Sequence, residues 1–245
     1  VIVAAALPGI PAVRPGDDLA ALLVAAAGRL ADGDVLVVAH KVVSKAEGRV
    51  VDLAEVQPGE RALALGAEHG KDPRLVEVIL GETTEIVRSR PGVLICRTPH
   101  GYVCANAGVD QSNAGGLVVL LPRDPDASAR ALRSRLRELT GVAPGIVVAD
   151  SFGRAWRLGQ CDVAIGVAGL APAEDWRGRR DADGRMLEAT VIAVADAAAA
   201  AADLARSKDG REPAVLVRGL ERHVTEGDGP GAAALIRARD EDLFL

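Results

Sequence analysis

Asp150 and Ser151 follow directly on the apolar run Gly145-Ile146-Val147-Val148-Ala149, and Arg154 and Arg157 come shortly after them. An acid at the end of a short β-branched run is held rigidly, and the neighbouring hydroxyl adds a second hard oxygen, a donor pair that suits Mg2+ or Mn2+. The arginine fork matches phosphate oxygens, so Arg154 and Arg157 fit the charge that such a metal bridges. Taken alone, the segment also reads as a strand running into a polar turn.

A second acid, Asp110, sits among small residues in Ala105-Asn106-Ala107-Gly108-Val109-Asp110-Gln111-Ser112-Asn113. Small neighbours let a ligand approach the backbone, and Asp110 is placed to share a metal with Asp150. Asp, Ser and Asn are also ordinary turn residues. The third group, Lys41-Val42-Val43-Ser44-Lys45, puts two cations beyond an apolar run, which suits a nucleotide triphosphate beside paired carboxylates. No G-x-x-x-x-G-K-[ST] or G-x-G-x-x-G follows a strand, so any nucleotide is held without a P-loop or Rossmann turn. Of the four histidines only His40 falls near the proposed site; His69, His100 and His223 read as surface or turn residues. Ser112 and Ser151 lie in no nucleophile elbow, which argues against a covalent serine mechanism.

These residues need a scaffold of 245 residues that is 49% hydrophobic but only 2% aromatic, so its core is built of Val, Leu, Ile and Ala. Few aromatics and a formal net charge of -5 with scattered basic residues argue against a nucleic-acid surface. Cys96, Cys104 and Cys161 have no C-x-x-C spacing and read as reduced thiols of a cytoplasmic protein. No apolar run is long enough to span a membrane, and the amino-terminal Val1–Leu7 run reads as a strand rather than a signal peptide.

Asp17-Asp18 caps a helix with the stripe Leu19, Leu22, Leu23, Ala26 and Leu30, closed by Gly33-Asp34. Val35–Ala39 is a buried strand delivering His40, Lys41 and a loop. Residues 60–81 read as helix with a break near Gly70 and Pro73, and three short antiparallel strands follow over Glu85–Arg90, Val93–Thr98 and Tyr102–Ala105. Strand Leu117–Leu121 precedes a helix from Asp124-Pro125 to Thr140 with stripe Leu132, Leu136 and Leu139. Strand 145–149, the Asp150 loop, strand 162–168 and a polar loop Trp176–Arg185 come next. An extended Thr190–Val194 then enters an Ala-rich helix over 196–206, a turn Ser207–Pro213 and strand Ala214–Val217. The pattern predicts an α/β (α+β) protein with mixed sheets, one domain over 1–245, with a smaller sub-domain inserted in it or exchanged with a partner subunit.

Four blocks, in order, resemble the coenzyme F-420:L-glutamate ligase family: Gly9–Asp18, Lys41–Arg49, Ala107–Asn113 and the Asp150 loop, with Ala193–Asp196 and Val217–Gly219 behind them. The resemblance implies a two-lobed, intertwined homodimer. It also implies a GTP-dependent, amide-forming ligase using Mn2+ or Mg2+ at two sites, helped by K+. Such an enzyme adds L-glutamate to the F-420 precursor through an acyl phosphate and releases GDP and phosphate. Matched by motif, Asp110 and Asp150 hold one metal and Ser151 helps hold the second. Ile10, Pro11, Ala12, Val13, His40, Lys45 and Asn113 fall where the family contacts GTP, as does the turn Leu204-Ala205-Arg206-Ser207-Lys208-Asp209-Gly210-Arg211. Arg154 and Arg157 are added here as catalytic phosphate-charge residues alongside Asp110 and Asp150.

Ala12, His40, Ser151, Cys161 and Ala197 depart from the family pattern, the first two at positions that bear on the nucleotide. The chain ends about where the ligase portion of such proteins ends, which predicts either a stand-alone ligase or an excised ligase domain. Two other readings remain open: a ligase acting on a different carboxylate, and a deazaflavin- or nucleotide-binding module without turnover.

Overall fold

The computed structural model describes residues 1–111 and 117–242. The first half holds β1 (Val3–Ala6), α1 (Leu19–Ala27), β2 (Val35–Ala39), α2 (His40–Ala46), β3 (Val50–Asp52), α3 (Glu60–His69), α4 (Pro73–Gly81), β4 (Glu85–Arg90), β5 (Val93–Arg97) and β6 (Val103–Ala105). The second holds β7 (Leu117–Val119), α5 (Pro125–Thr140), β8 (Gly145–Arg154), β9 (Arg157–Ala168), β10 (Glu174–Asp175), β11 (Val191–Ile192), α6 (Val194–Ala205) and β12 (Ala214–Arg218).

The main sheet has the order β1-β12-β2-β8-β9, with β2 and β8 parallel and every other pair antiparallel. Its central strands are unbroken apolar runs because both faces are covered. Leu36, Val38, Ile146, Val148 and Leu216 join one core cluster with Leu19 and Leu23 of α1 and Leu132 and Leu136 of α5. The alternating Val35, Val37, Val147, Ala149 and Val217 join the opposite cluster with Ala195, Ala198, Ala199 and Ala202 of α6. Strand periodicity thus sorts successive residues onto two faces, and the small side chains of α6 suit a helix lying flat on the sheet. A third cluster, formed by Val76 and Ile79 of α4, Leu94 and Cys96 of β5, and Val118 of β7, is the core of a smaller lobe. Arg49 ties the segments around that lobe together, through Leu121 O at 3.0 Å and Glu82 at 2.8 Å.

The expected caps are present: Asp18 accepts from Ala21 N, and Asp124 accepts from Ala127 N with Pro125 opening α5. Several boundaries differ. The first helix ends at Gly28, whose φ of 66° stops it early, so Leu30 reaches the core from a loop. Leu139 is exposed rather than part of the α5 stripe. The stretch after Ala39 is helix α2 rather than a loop. The Asp150 segment is not a loop either: β8 runs on through Arg154 and pairs with a longer β9 as a hairpin. His69 and His223, read as surface or turn residues, are buried. Among the described residues no helix is long and apolar enough to cross a membrane.

Candidate functional site

The site starts from strand register. β2 and β8 run parallel with Ala39 opposite Ala149, so His40, which opens α2, and Asp150, which continues along β8, come side by side where β2 ends. The carboxyl ends of parallel strands are where α/β folds bind ligands. The β8–β9 register shifts between Val148 and Ala149, a bulge beside the acid of the kind that re-aims a side chain. His40 is buried, and its Nε2 lies 3.3 Å from Asp150 Oδ1, within ion-pair reach but not aligned as a hydrogen bond. The Ser151 backbone N–H donates to the same oxygen at 2.8 Å, which fixes the carboxylate.

Asp110 arrives from the smaller lobe. Its backbone pairs with Val119 through two hydrogen bonds of 2.9 and 2.8 Å, and its Oδ2 meets Lys41 Nζ at 2.7 Å. The preceding turn is strained: Asn106, Ala107 and Gly108 have φ of 53°, 54° and 73°, a left-handed path that non-glycine residues rarely take. Gly108 is required there twice over, since a Cβ would also fall 2.7 Å from Leu121. The turn carries Asn106 into a pocket of about 360 Å3 lined also by Asp110, Asp150, Ser151, Gln111 and Lys71. Asn106 Oδ1 is buried and has no hydrogen-bond partner. Two acids far apart in sequence therefore face one cavity between the lobes.

Lys45, one helical turn after Lys41, adds positive charge. Burial pushes its ammonium below the usual lysine value, as does the charge of Lys41, while Asp110 opposes the shift. Gly16 N donates to Ala46 O at 2.9 Å, which ties the segment containing Ile10–Val13 to the end of α2. The side chains of Ile10 and Val13 are core, while Pro11 and Ala12 between them are exposed.

A second cluster forms on the other side of Ser151. Its hydroxyl donates to Asp162 Oδ1 at 2.5 Å and accepts from Lys208 Nζ at 3.0 Å. Asp162, fully buried, is paired through Oδ2 with Arg206, and Lys208 also meets Asp203 at 2.6 Å. The turn Leu204–Arg211 therefore reaches the site through Arg206 and Lys208. Leu204 is 90% exposed, and Ser207, Asp209, Gly210 and Arg211 are exposed as well. Sequence reasoning missed Asp162, although a carboxylate directly after Cys161 at the mouth of an apolar run was a signal. It also missed the orphaned oxygen of Asn106, which shows only in three dimensions.

Arg154 and Arg157 are not brought to the acids. They pair with each other at the exposed tip of the β8–β9 hairpin, where Arg154 donates to Leu158 O at 2.6 Å. Arg154 is four residue steps along extended strand from Asp150, roughly 13 Å at the usual strand rise. Asn113 lies outside the described residues.

The donor set fits one divalent ion. Asp110 and Asp150 face the same pocket, Asn106 offers an unpartnered buried oxygen, and the Lys41 ammonium already rests on Asp110 as a stand-in cation. Among the described residues no three His, Cys, Asp or Glu side chains converge on one point, so the remaining ligands of such an ion would have to be neutral oxygens, water or phosphate, as is usual for Mg2+. At Ser151 the fit fails, because the oxygens around it are already engaged by Lys208 and Arg206.

The family model described as F420-0:Gamma-glutamyl ligase matches residues 9–219. A protein of Methanopyrus kandleri named coenzyme F420:L-glutamate ligase is 50% identical over 235 residues, covering 95% of this chain and 93% of its own. Relatives of the same name from Methanothermobacter thermautotrophicus and Haloarcula marismortui are 46% and 45% identical, covering 96% and 97% of this chain and 96% and 93% of their own.

Proposed function

The chain belongs to the F420-0:gamma-glutamyl ligase family, and from that premise we propose that it joins the amine of L-glutamate to a carboxylate of the F-420 precursor at the expense of GTP. The observation that carries this reading is the convergence of Asp110 and Asp150 on one pocket beside Lys41.

In this reading the carboxylate oxygen of the precursor attacks the γ-phosphorus of GTP, GDP leaves, and an acyl phosphate forms. The glutamate amine then attacks the carbonyl carbon, phosphate departs, and the amine gives up a proton as the amide forms. Mn2+ or Mg2+ between Asp110 and Asp150 would neutralise phosphate charge. The protein's own part is positional and electrostatic. His40 and the Ser151 N–H hold Asp150 in place, Lys41 and Lys45 add positive charge on the nucleotide side, and the strained Asn106–Gly108 turn keeps the pocket wall close to the ligand. Arg154 and Arg157, remote at the hairpin tip, are left without a catalytic role in the isolated chain.

The same proposal includes the homodimer. Trp156 and Leu158 at the hairpin tip are 83% and 96% exposed, and large apolar side chains projecting from a two-stranded arm are supporting evidence for a second subunit.

The test is mass spectrometry of the glutamate-free coenzyme incubated with the protein, GTP, Mn2+, K+ and L-glutamate, with GDP release followed in parallel. GTP-dependent product heavier by one or more glutamyl units supports the ligase. GTP consumption with a different carboxylate acceptor favours the wider ligase reading. Coenzyme binding without GDP release favours a binding module.

A further inference from the structure

The oxygens around Ser151 form a closed account. The Ser151 proton goes to Asp162 Oδ1 at 2.5 Å, Asp162 Oδ2 is taken by Arg206, and Lys208 Nζ lies 3.0 Å from Ser151 Oγ, 3.5 Å from Asp162 Oδ1 and 2.6 Å from Asp203 Oδ1. Two carboxylates face two cations, so the cluster is neutral. Asp162 is fully buried and the Arg206 side chain is only 9% exposed, so this pair is not free to open. A divalent ion seated on Ser151 would find no uncommitted carboxylate and would meet an ammonium within hydrogen-bond distance of its own ligand.

We infer that Lys208 takes the place of a second divalent cation: its ammonium, shared by Ser151, Asp162 and Asp203, leaves this chain with a single divalent-metal site, the one between Asp110 and Asp150. The inference rests on the metal reading proposed above and adds to it a count and a residue. It also assigns Lys208 a role as positioning cation. Ser151 follows Asp150 directly, so the ammonium sits beside the metal site as a fixed monovalent charge that a chelator cannot remove. Its half-exposed side chain lets a phosphate approach it from solvent.

The experiment is a count of bound Mn2+ by electron paramagnetic resonance on the full chain, freed of metal and of nucleotide. The expected result is one Mn2+ per chain for the wild type and two for Lys208→Gln, which removes the charge and offers a carboxamide oxygen at the same reach. Two ions in the wild type would overturn the inference and leave the metal reading standing. No bound ion would sink both. A count of one in both proteins would also overturn it, since Lys208 would then not be what excludes the second ion. Because Lys208 is on the surface, circular dichroism of the variant is expected to match the wild type, so a changed count reports the site and not the fold.

Discussion

His40 Nε2 stands 3.3 Å from Asp150 Oδ1, with the histidine side chain 2% exposed and the carboxylate 15%. The pair exists because β2 and β8 are parallel neighbours in register, so the residue that follows β2 and the next residue along β8 come side by side. A buried imidazole that makes no hydrogen bond and stands within ion-pair reach of the carboxylate is expected to orient Asp150. His40→Leu is expected to weaken Mn2+ binding about 10- to 100-fold, the usual cost of losing an outer partner of a metal ligand, while His40→Gln retains a donor and most of the affinity. Equal Mn2+ titration curves for wild type and His40→Leu would show that the imidazole does not position the acid.

Asp110→Asn and Asp150→Asn each remove one hard anionic oxygen at almost constant volume. Both are expected to abolish glutamate addition while leaving the thermal melt within a few degrees of wild type, because neither acid belongs to a hydrophobic cluster. Near-normal turnover of either variant at saturating Mn2+ would remove the two acids from the site.

Much of this arrangement was legible in the chain. The runs at 35–39, 145–149 and 214–217 could only be covered strands, and Asp18, Asp124 and Pro125 marked their helices correctly. What failed was the reading of polar residues as loop. The segment 150–161 alternates small, polar and charged residues, which suits an exposed two-stranded arm as well as a turn, and only pairing between β8 and β9 decides between them. His69 and His223 were misplaced for a related reason, since a histidine's burial is set by tertiary neighbours such as Ser89 Oγ, 2.8 Å from His69 Nε2. The Ser151–Asp162–Arg206–Lys208 cluster spans residues far apart in sequence, so no local pattern could announce it.

Arg206→Met tests the energetic weight of that cluster. It leaves Asp162 fully buried without its guanidinium, and breaking a buried ion pair from one side costs about 3–5 kcal/mol. Lys208 and the Ser151 hydroxyl still reach the carboxylate, which favours the lower end of that range. Urea unfolding is expected to show the loss as a lower midpoint with an unchanged slope. A variant as stable as wild type would mean that Lys208 and the Ser151 hydroxyl are enough to hold the buried carboxylate.

The three thiols should separate cleanly in a native-state disulfide-exchange assay. Cys96 and Cys104 face each other across β5 and β6, both buried, and burial pushes the Cys104 thiol up to about 12 and the Cys96 thiol in the same direction. The thiolate is the reactive form, so both stay inert at neutral pH. Cys161, half-buried on the β9 arm, is expected to react alone, with all three reacting in denaturant. More than one fast thiol in the folded protein would show that the smaller lobe opens readily.

Asp196 gives the fold a pH signature of unusual sign. Its Oδ1 accepts from Ala164 N at 2.9 Å, but burial outweighs that bond and raises its carboxyl above the ordinary 3.8. The folded chain thus holds this proton more tightly than the unfolded chain. The contribution of Asp196 to stability is therefore fully present below 3.8 and lost as the pH rises through the raised folded-state value. Asparagine keeps an oxygen for Ala164 N and never ionises, so Asp196→Asn is expected to melt higher than wild type at pH 7, with the difference shrinking to nothing as the pH falls below 3.8. Melts of both proteins between pH 3 and pH 7 measure it. A variant that is less stable at pH 7 would mean that the Ala164 bond, and not burial, dominates the environment of Asp196.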